Sequence, residues 1–419
     1  MAMIHAKKYK PRIFPIKGDA SDAEIDRAQK IAPTATLNRD EVKEIGRESN
    51  DGVVGYIKRA SSVAYSLTQL EYGSLEFWQK LINDDTLGND GETPIDLDDF
   101  NNAYFNICAY LTDDDDNFVG TMWYPKLRTS GFSITVGDPD AIIERSFDLV
   151  GESAVQWQGD NKYIIYGTHT AGSGGDNEID LTSKEPAEDP DNSGEYMLMV
   201  TRYRSGTGTT ELTVSTDYSY SSVTKILTIN ASAIATGDVI KYWYTSATAP
   251  DAQFTVNDSD PVAIAGDSVS IYLYIPASGK PSSSDYIYKL QSATIDVSLS
   301  RTDYKELGNK AVVKRGVDDK TVTITLGRIL SETTVEEVLR GAGSDYGKLD
   351  VDEFTDEATL IIKFYADNSK TSFKYGIKCT DLTVSNFNPS VDVGAYAERE
   401  NVLTGSSMQI TASTSELGI

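Results

Sequence analysis

The sequence predicts a mainly β protein: two tandem, related β-sandwich or open-barrel domains, each with one helix, and a third β-sandwich between them. Three observations predict this. The first is a repeat. Arg39-Asp40-Glu41-Val42-Lys43-Glu44-Ile45-Gly46 returns as Arg301-Thr302-Asp303-Tyr304-Lys305-Glu306-Leu307-Gly308, at a constant offset of 262 positions (39 to 301, 46 to 308). Gln29 and Leu37 match Gln291 and Leu299 at the same offset. More anchors follow in one order: Lys58-Arg59 with Lys314-Arg315, Ser74-Leu75-Glu76 with Thr334-Val335-Glu336, Ile95-Asp96-Leu97-Asp98-Asp99-Phe100 with Leu349-Asp350-Val351-Asp352-Glu353-Phe354, and Glu144-Arg145, Leu149 and Gly151 with Glu398-Arg399, Leu403 and Gly405. The second is alternation. Ala293 to Ser300 and Thr321 to Leu326 switch between apolar and polar at every step, the period of a half-buried strand. The third is a middle segment of short apolar runs separated by turns, the pattern of a compact sandwich.

In chain order, residues 1–20 read as a loose N-terminal arm carrying Lys7, Lys8, Lys10, Pro11 and Pro15. The first repeat spans 21–152. Ser21-Asp22-Ala23-Glu24 has the form of a capping box and predicts a short helix through Lys30. Ser74 to Ile82 carries apolar residues at 75, 78, 81 and 82 and predicts the domain's helix, with Ser74 supplying an N-cap oxygen. Ser133 to Val136 and Leu382 to Ser385 read as corresponding strands of the two repeats. The acidic stretches at 83–92 and 113–116 are loops, the second matching 367–370. The middle segment spans 153–282, with strands at Met197 to Val200, Glu211 to Val214, Lys225 to Ile229 and Val239 to Tyr244. The second repeat spans 283–419, its helix beginning at Thr334 with Val335, Val338 and Leu339 inward.

The net charge of −26, from 64 acidic and 38 basic residues, argues against wrapping a nucleic acid, which needs a basic surface. It permits contact in passing. No run approaches the ~20 apolar residues of a membrane helix, and the N-terminus carries no secretory pattern. Cys108 and Cys379 do not align between the repeats and sit in apolar stretches, which predicts two free buried thiols rather than a disulfide or metal site. The chain has two histidines, His5 and His169, neither placed for a triad or zinc site. Asp96, Asp98 and Asp99 recur as Asp350, Asp352 and Glu353. Alternating acids on a strand could serve calcium or paired-acid hydrolysis, but a solvated face before a buried phenylalanine is the plainer reading. Gly172-Ser173-Gly174-Gly175 lacks the Lys-Ser or Lys-Thr of a phosphate loop. No catalytic residue, metal or cofactor is expected. Charges retained in both repeats are candidates for equivalent contacts with neighbouring subunits and rings: Lys43, Glu44, Lys58, Arg59, Glu144 and Arg145, with Lys305, Glu306, Lys314, Arg315, Glu398 and Arg399. The competing reading is a set of inherited surface ion pairs worth ~0–1 kcal/mol each.

Val42-Lys43-Glu44-Ile45-Gly46, Ser66-Leu67-Thr68-Gln69-Leu70-Glu71-Tyr72-Gly73-Ser74-Leu75-Glu76-Phe77 and Glu144-Arg145-Ser146-Phe147-Asp148-Leu149-Val150-Gly151-Glu152 resemble the tail tube (major tail) proteins of tailed viruses. The second repeat carries a weaker version and departs at Glu400-Asn401, where the first has Ser146-Phe147. The resemblance covers both repeats, about two-thirds of the chain. It implies a non-enzymatic virion subunit, whose sheets join neighbours into a barrel around a channel for genome delivery. Duplicated subunits of this kind close homotrimeric, pseudo-hexameric rings, as in siphovirus tails. The implied partners are other copies of the chain, a tape measure inside the tube, and terminator and distal tail proteins at its ends. Viral DNA would pass without specific binding, and no membrane is involved. The implied location is the virion tail, after assembly in the host cytoplasm. Under the same resemblance the middle segment matches immunoglobulin-like decorations on tube exteriors. Rings are expected to stack through the N-terminal arm and the loops at Gly46 to Lys58 and Gly308 to Arg315. Two alternatives stand beside it. One is a carbohydrate- or host-binding β-module using Tyr242, Trp243 and Tyr244; the other is a hydrolase using Asp98 and Asp352.

Overall fold

A computed structural model describes residues 9–36, 39–43, 53–58, 61–113, 118–157, 163–172, 177–249, 263–275, 287, 290–304, 314–329, 339, 357–390 and 398–418; for 9, 39–43, 53–58, 303, 314–315, 329 and 387–390 it describes the backbone alone. Strands dominate. The first part of the chain runs β1 (Tyr9–Pro15), β2 (Ala23–Glu24), β3 (Ala28–Thr36), β4 (Arg39–Lys43), β5 (Val53–Lys58), β6 (Ser62–Leu70), α1 (Glu76–Ile82), β7 (Ile95–Asp96), α2 (Asp99–Asn102), β8 (Phe105–Thr112), β9 (Phe118–Val136), β10 (Glu144–Gly151) and β11 (Val155–Trp157). The middle runs β12 (Tyr163–Thr170), β13 (Glu178–Asp180), β14 (Met197–Arg204), β15 (Gly208–Glu211), β16 (Tyr218–Ser221), β17 (Ile226–Ile229) and β18 (Val239–Ser246). The last part runs β19 (Val269–Tyr274), β20 (Leu290–Tyr304), β21 (Lys314–Ile329), β22 (Ala358–Tyr365), β23 (Phe373–Ser390), β24 (Glu398–Gly405), β25 (Ser407–Thr411) and α3 (Thr414–Leu417).

The first and last parts have the same pairing scheme. In the first, β1 pairs β8, β8 pairs β9, β9 pairs β10 and β11, β10 pairs β6, and β6 pairs β3. In the last, β19 pairs β22, β22 pairs β23, β23 pairs β24 and β25, β24 pairs β21, and β21 pairs β20. Irregularities repeat as well. The bulge between Ala28 and Lys30 in β3 returns between Leu290 and Ser292 in β20. The skipped Ser130 of β9 returns as the skipped Ser385 of β23. Each serine hydroxyl donates to a carbonyl of the next strand, Ser130 to Asp148 at 2.9 Å and Ser385 to Val402 at 3.2 Å. Strands β9 and β23 are long because each serves two sheets. The first half of β9 pairs β8 and β11, and the second half pairs β10 and β20.

Five expectations are corrected by this pairing. Residues 9–15 are not a loose arm; they form β1 against β8, with Ile13 and Phe14 fully buried. The capping box at Ser21 opens no helix. Arg12 takes Asp22 and Glu24 in ion pairs, Ile13 pairs Ala23, and 23–24 and 28–36 become β2 and β3. Cross-strand charge pairing outweighs the local cap. Within the segment 153–282, β19 joins β22 and so stands where β1 stands in the first repeat. The offsets also shift after the first anchor. Arg39 opposes Lys58 as Arg301 opposes Val317, so Lys58 corresponds to Val317 rather than Lys314. Ser133 to Val136 and Leu382 to Ser385 do lie in corresponding strands, but six positions out of step: Ile134 and Pro389 occupy the same rung.

Helix α1 buries Trp78, Leu81 and Ile82, as its spacing predicts, and also Phe77, Gln79 and Lys80. The N-cap position is Leu75 rather than Ser74, although Ser74 Oγ still accepts the N–H of Glu76 at 3.1 Å. Trp78 packs edge-on against Phe132 and Phe147, each with ring centroids 4.9 Å apart. Of the helix expected from Thr334, only Leu339 is described; it is helical and fully buried in the shared core. Both cysteines are buried free thiols.

The middle segment is a sandwich of two sheets, β12-β18-β14-β15 and β13-β17-β16, around Val200, Leu227, Ile229 and Ile240. It docks on the first repeat. Phe14, Tyr110 and Trp123 meet Ile164, Met199 and Trp243 in one apolar cluster. The buried Lys241 amine donates to the carbonyls of Pro15 (3.0 Å), Lys17 (3.4 Å) and Ala20 (2.8 Å). Burial pushes its pKa down to about 8; at neutral pH the charged amine still offers three N–H donors for three carbonyls. Lys126 and Glu211 pair across the same junction at 2.7 Å. Replacing Lys241 with Met strands these carbonyls, at about 1–3 kcal/mol for each left unpaired. The expected result is a lower urea midpoint and faster proteolysis near 17–20; an unchanged midpoint would count against this anchor.

Candidate assembly surface

Eight strands form one antiparallel wall in the order β3-β6-β10-β9-β20-β21-β24-β23, four from each repeat. Its inner face packs on the core through Val63, Tyr65, Leu67, Phe147, Leu149, Ile134, Ile295, Val297, Val322, Ile324 and Leu403. Alternation sends the other residues to solvent. One rung can be followed across the whole wall: Lys30, Thr68, Ser146, Ser133, Asp296, Thr323, Thr404, Thr383. Hydroxyls and carboxylates bond along it. Thr68 and Ser146 hydroxyls lie 3.1 Å apart, and in the neighbouring rung Ser66 donates to Asp148 at 2.7 Å. Glu144, Asp148, Asp296, Asp319, Glu398 and Glu400 are among the exposed carboxylates of this face. In the rung followed here the single cation is Lys30, on the edge strand. Such a face is wetted and negative, with little to hold a polyanion.

The two repeats meet at the β9–β20 ladder, where Gly131 to Val136 oppose Ala293 to Ser298. Gly131 stands against the Val297 carbonyl, only 2.7 Å from where a Cβ would be, so a side chain here would push the ladder apart. Arg301 fastens the seam: its guanidinium donates to the carbonyls of Thr129 (2.6 Å), Asn101 (3.2 Å) and Phe100 (2.8 Å). Lys320 pairs with Asp98 beside it, and β7 adds to β25 on the outer layer. Deeper in, Glu71 accepts the Gly73 N–H at 2.6 Å, the Tyr375 hydroxyl at 2.7 Å and Arg145 at 3.3 Å. Glu71 and Arg145 have no exposed side-chain surface. Arg145 also lies over the rings of Tyr72, Phe77, Trp78 and Phe147, 5.3–5.9 Å from their centroids. Burial opposes its charge, but Glu71 keeps its pKa above the usual arginine value. Burial and the Glu71 charge drive the Tyr375 hydroxyl well above the usual tyrosine value, so it remains a donor.

The charges expected at subunit contacts are distributed differently. Glu144 is exposed on the solvent face, and its counterpart Glu398 likewise. Arg145 is enclosed within its own chain and has no surface to offer a neighbour. Its counterpart Arg399 is half-buried in β24. Lys43 and Lys58 lie on the β4–β5 hairpin and Lys314 and Arg315 on β21, with only their backbones described. Glu44, Arg59, Lys305 and Glu306 lie outside the described residues, as does much of the expected stacking loops. The acids at 96–99 do not line a strand face. Asp99 accepts the N–H of Asp96 at 2.9 Å and Asp98 the Asn101 amide at 2.7 Å, so they fold the turn into α2. Asp350, Asp352 and Glu353 lie outside the described residues. Of the expected sugar platform, Trp243 and Tyr244 are buried and only Tyr242 is half-buried. Sequence reasoning missed Arg301, Glu71 and Tyr375. The match of Arg39 to Arg301 was the available signal for the first; the other two meet only after folding.

No protein-family model matches the chain, and no curated protein matches it. Among solved structures, it is similar to a chain in the cryo-EM structure of the anti-feeding prophage baseplate, 6-fold symmetrised. That match has 12% identity and a TM-score of 0.26, over 38% of this chain and 96% of that one. The score is too low to place this chain in that fold.

Arg145→Ala is expected to cost ~3–5 kcal/mol, because it leaves Glu71 buried without its cation. Glu144→Ala, one residue away, should stay within about 0.5 kcal/mol. Urea denaturation of the two variants checks the contrast; equal effects would place Arg145 outside the fold's interior bonding.

Proposed function

We propose that this chain is a virion tail tube subunit. In this reading it is non-enzymatic and assembles as three copies into a ring of six similar domains. The rings stack around a channel that carries the genome into the host. The observation that carries the reading is the wall itself. Two repeats with one pairing scheme lie side by side in a single sheet, joined at β9–β20; among the described residues no further strand pairs the outer side of β3 or of the second half of β23, whose first half pairs β22 and β25. The position that β20 fills within the chain is, one repeat earlier, the position of β3. A sheet that repeats its own joint can close on copies of itself and so remove its edges.

Size supports a bore. About 24 strands, eight from each of three chains, spaced ~4.8 Å apart and tilted by roughly 40°, give a barrel on the order of 45 Å across between backbones. That leaves room for a duplex after side chains are added. The hydroxyl and carboxylate face would line it, with charges screened beyond about 8–10 Å at physiological salt. The tape measure would occupy the same bore, and terminator and distal tail proteins the free ends of the stack.

One observation favours a second reading, a carbohydrate-binding role for the middle sandwich. A groove of about 590 Å³ there is lined by Tyr196, Tyr218 and Tyr220 with Glu195 and Glu211. Binding of the whole protein to a glycan array would support it, and a blank array would remove it.

Images of purified protein at assembling concentration test the main reading. Rings or tubes with a central channel, threefold overall with six similar lobes, are expected. A monodisperse monomer with no bore would overturn it.

A further inference from the structure

We infer that the β3 edge pairs with the β23 edge of a second copy in one fixed register, with Pro33 opposite Pro389, and that Arg39 fastens this joint as Arg301 fastens the internal one. The inference rests on the ring reading above and specifies the contact that closes it.

The register follows from the repeat. Strand β3 maps onto β20 at an offset of 262, because Ala28, Lys30 and Ile31 oppose Gln69, Thr68 and Leu67 as Leu290, Ser292 and Ala293 oppose Arg328, Gly327 and Leu326. The second half of β9 maps onto β23 at an offset of 255, because Glu144 opposes Thr135 as Glu398 opposes Ser390, and Leu149 opposes Thr129 as Leu403 opposes Val384. Inside the chain, Thr294, Ile295, Asp296, Val297 and Ser298 oppose Thr135, Ile134, Ser133, Phe132 and Gly131. Carried one repeat along, Ala32, Pro33, Thr34, Ala35 and Thr36 oppose Ser390, Pro389, Asn388, Phe387 and Asn386 of a second copy. The Arg301 bond to the Thr129 carbonyl becomes a bond from Arg39 to the Val384 carbonyl of that copy.

Burial shows which edge lacks its neighbour. Ala293, Ile295 and Val297 are at most 4% exposed beside β9. Their counterparts Ile31, Pro33 and Ala35 are half-buried, exposed and exposed. A strand whose core-facing positions are covered in one repeat and open in the other is matched to a partner shaped like β9, and β23 of another copy is that strand. The prolines fit free edges. Where the joint is internal the two positions hold Ile295 and Ile134; at the edges they hold Pro33 and Pro389. A proline removes one N–H, which makes a lone edge a poor template for stray strands. Opposite residues of an antiparallel ladder are either both bonded or both unbonded, so facing prolines disturb a single rung.

Paired cysteines test the register. Thr34→Cys with Asn388→Cys, oxidised after assembly, is expected to join chains into covalent rings on a non-reducing gel. The offset pair Thr34→Cys with Asn386→Cys should not. Wild-type rings by electron microscopy, with cross-linking only in the offset pair, would overturn the register and leave the ring reading standing. Failure of the wild type to form any ring would overturn both. Should the cysteine variants not assemble, hydrogen exchange on wild-type protein decides. The amides of 31–36 and 387–390 that point away from β6 and β24 (Pro33 and Pro389 have none) should slow at least tenfold on assembly, and unchanged exchange in visible rings would sink the inference. Arg39→Ala should fold with an unchanged melting point yet assemble at least tenfold less well, with partial rescue by Arg39→Lys; wild-type assembly by Arg39→Ala would remove the arginine from the joint.

Discussion

The pairing of β9 with β20 puts a backbone ladder where two domains would otherwise meet through side chains alone. A side-chain interface tolerates sliding; a ladder does not. Shifting an antiparallel pair by one residue turns every inward side chain outward, and here Phe132, Ile134, Ile295 and Val297 are all core residues. The angle and height of one repeat against the other are therefore fixed by the same bonds that fix strands within each repeat. Arg301 reinforces this by binding carbonyls rather than side chains, so it reads backbone position directly.

The buried polar groups serve the same end at some energetic cost. Enclosing Arg145 and Glu71 removes two charges from water, and an apolar pair of the same shape could match them in stability. What the charged pair adds is direction. Glu71 accepts from Gly73 and Arg145 of its own repeat and from Tyr375 of the other, and no displaced arrangement satisfies all three. Lys241 does the equivalent for the middle sandwich, whose amine fits only where three carbonyls of 15–20 converge. Residues 9–20 thus become a structural bracket. They pair with β8 on one side and receive the sandwich on the other.

What was legible in the sequence follows from this physics. The duplication was readable because equivalent positions in the wall face equivalent environments, so patterns such as Arg39 with Arg301 and Glu144-Arg145 with Glu398-Arg399 persist. Alternation gave the wall strands, and 3.6-residue spacing gave α1, since both are local signals. The misreadings share one cause. The strand character of 9–15 comes from β8, a hundred residues away, and the helix forecast at Ser21 gave way to Arg12 on a neighbouring strand. Local propensity is silent about partners distant in the chain. Arg145 was misassigned to the surface because charge alone does not show that β10 turns this residue inward, beneath the aromatic side chains of α1.

Duplication also explains why the repeats diverge where they do. A subunit carrying one domain would make the same joint everywhere, and every edge would need to be stable when paired and harmless when alone. With two domains in one chain the demands separate. The internal joint forms during folding, at high effective concentration, and can use Ile134, Ile295 and the Glu71–Tyr375 bond without exposing them. In the proposed ring, the outer edges would wait in solution until another copy pairs them. They carry Pro33 and Pro389 at the rungs where the internal joint carries isoleucine. Proline weakens an isolated edge as a template while costing a correctly aligned ladder one rung, roughly 1–3 kcal/mol for two hydrogen bonds. In the proposed ring, Pro33 and Pro389 thus mark positions that separate a joint made within the chain from edges that wait for another copy.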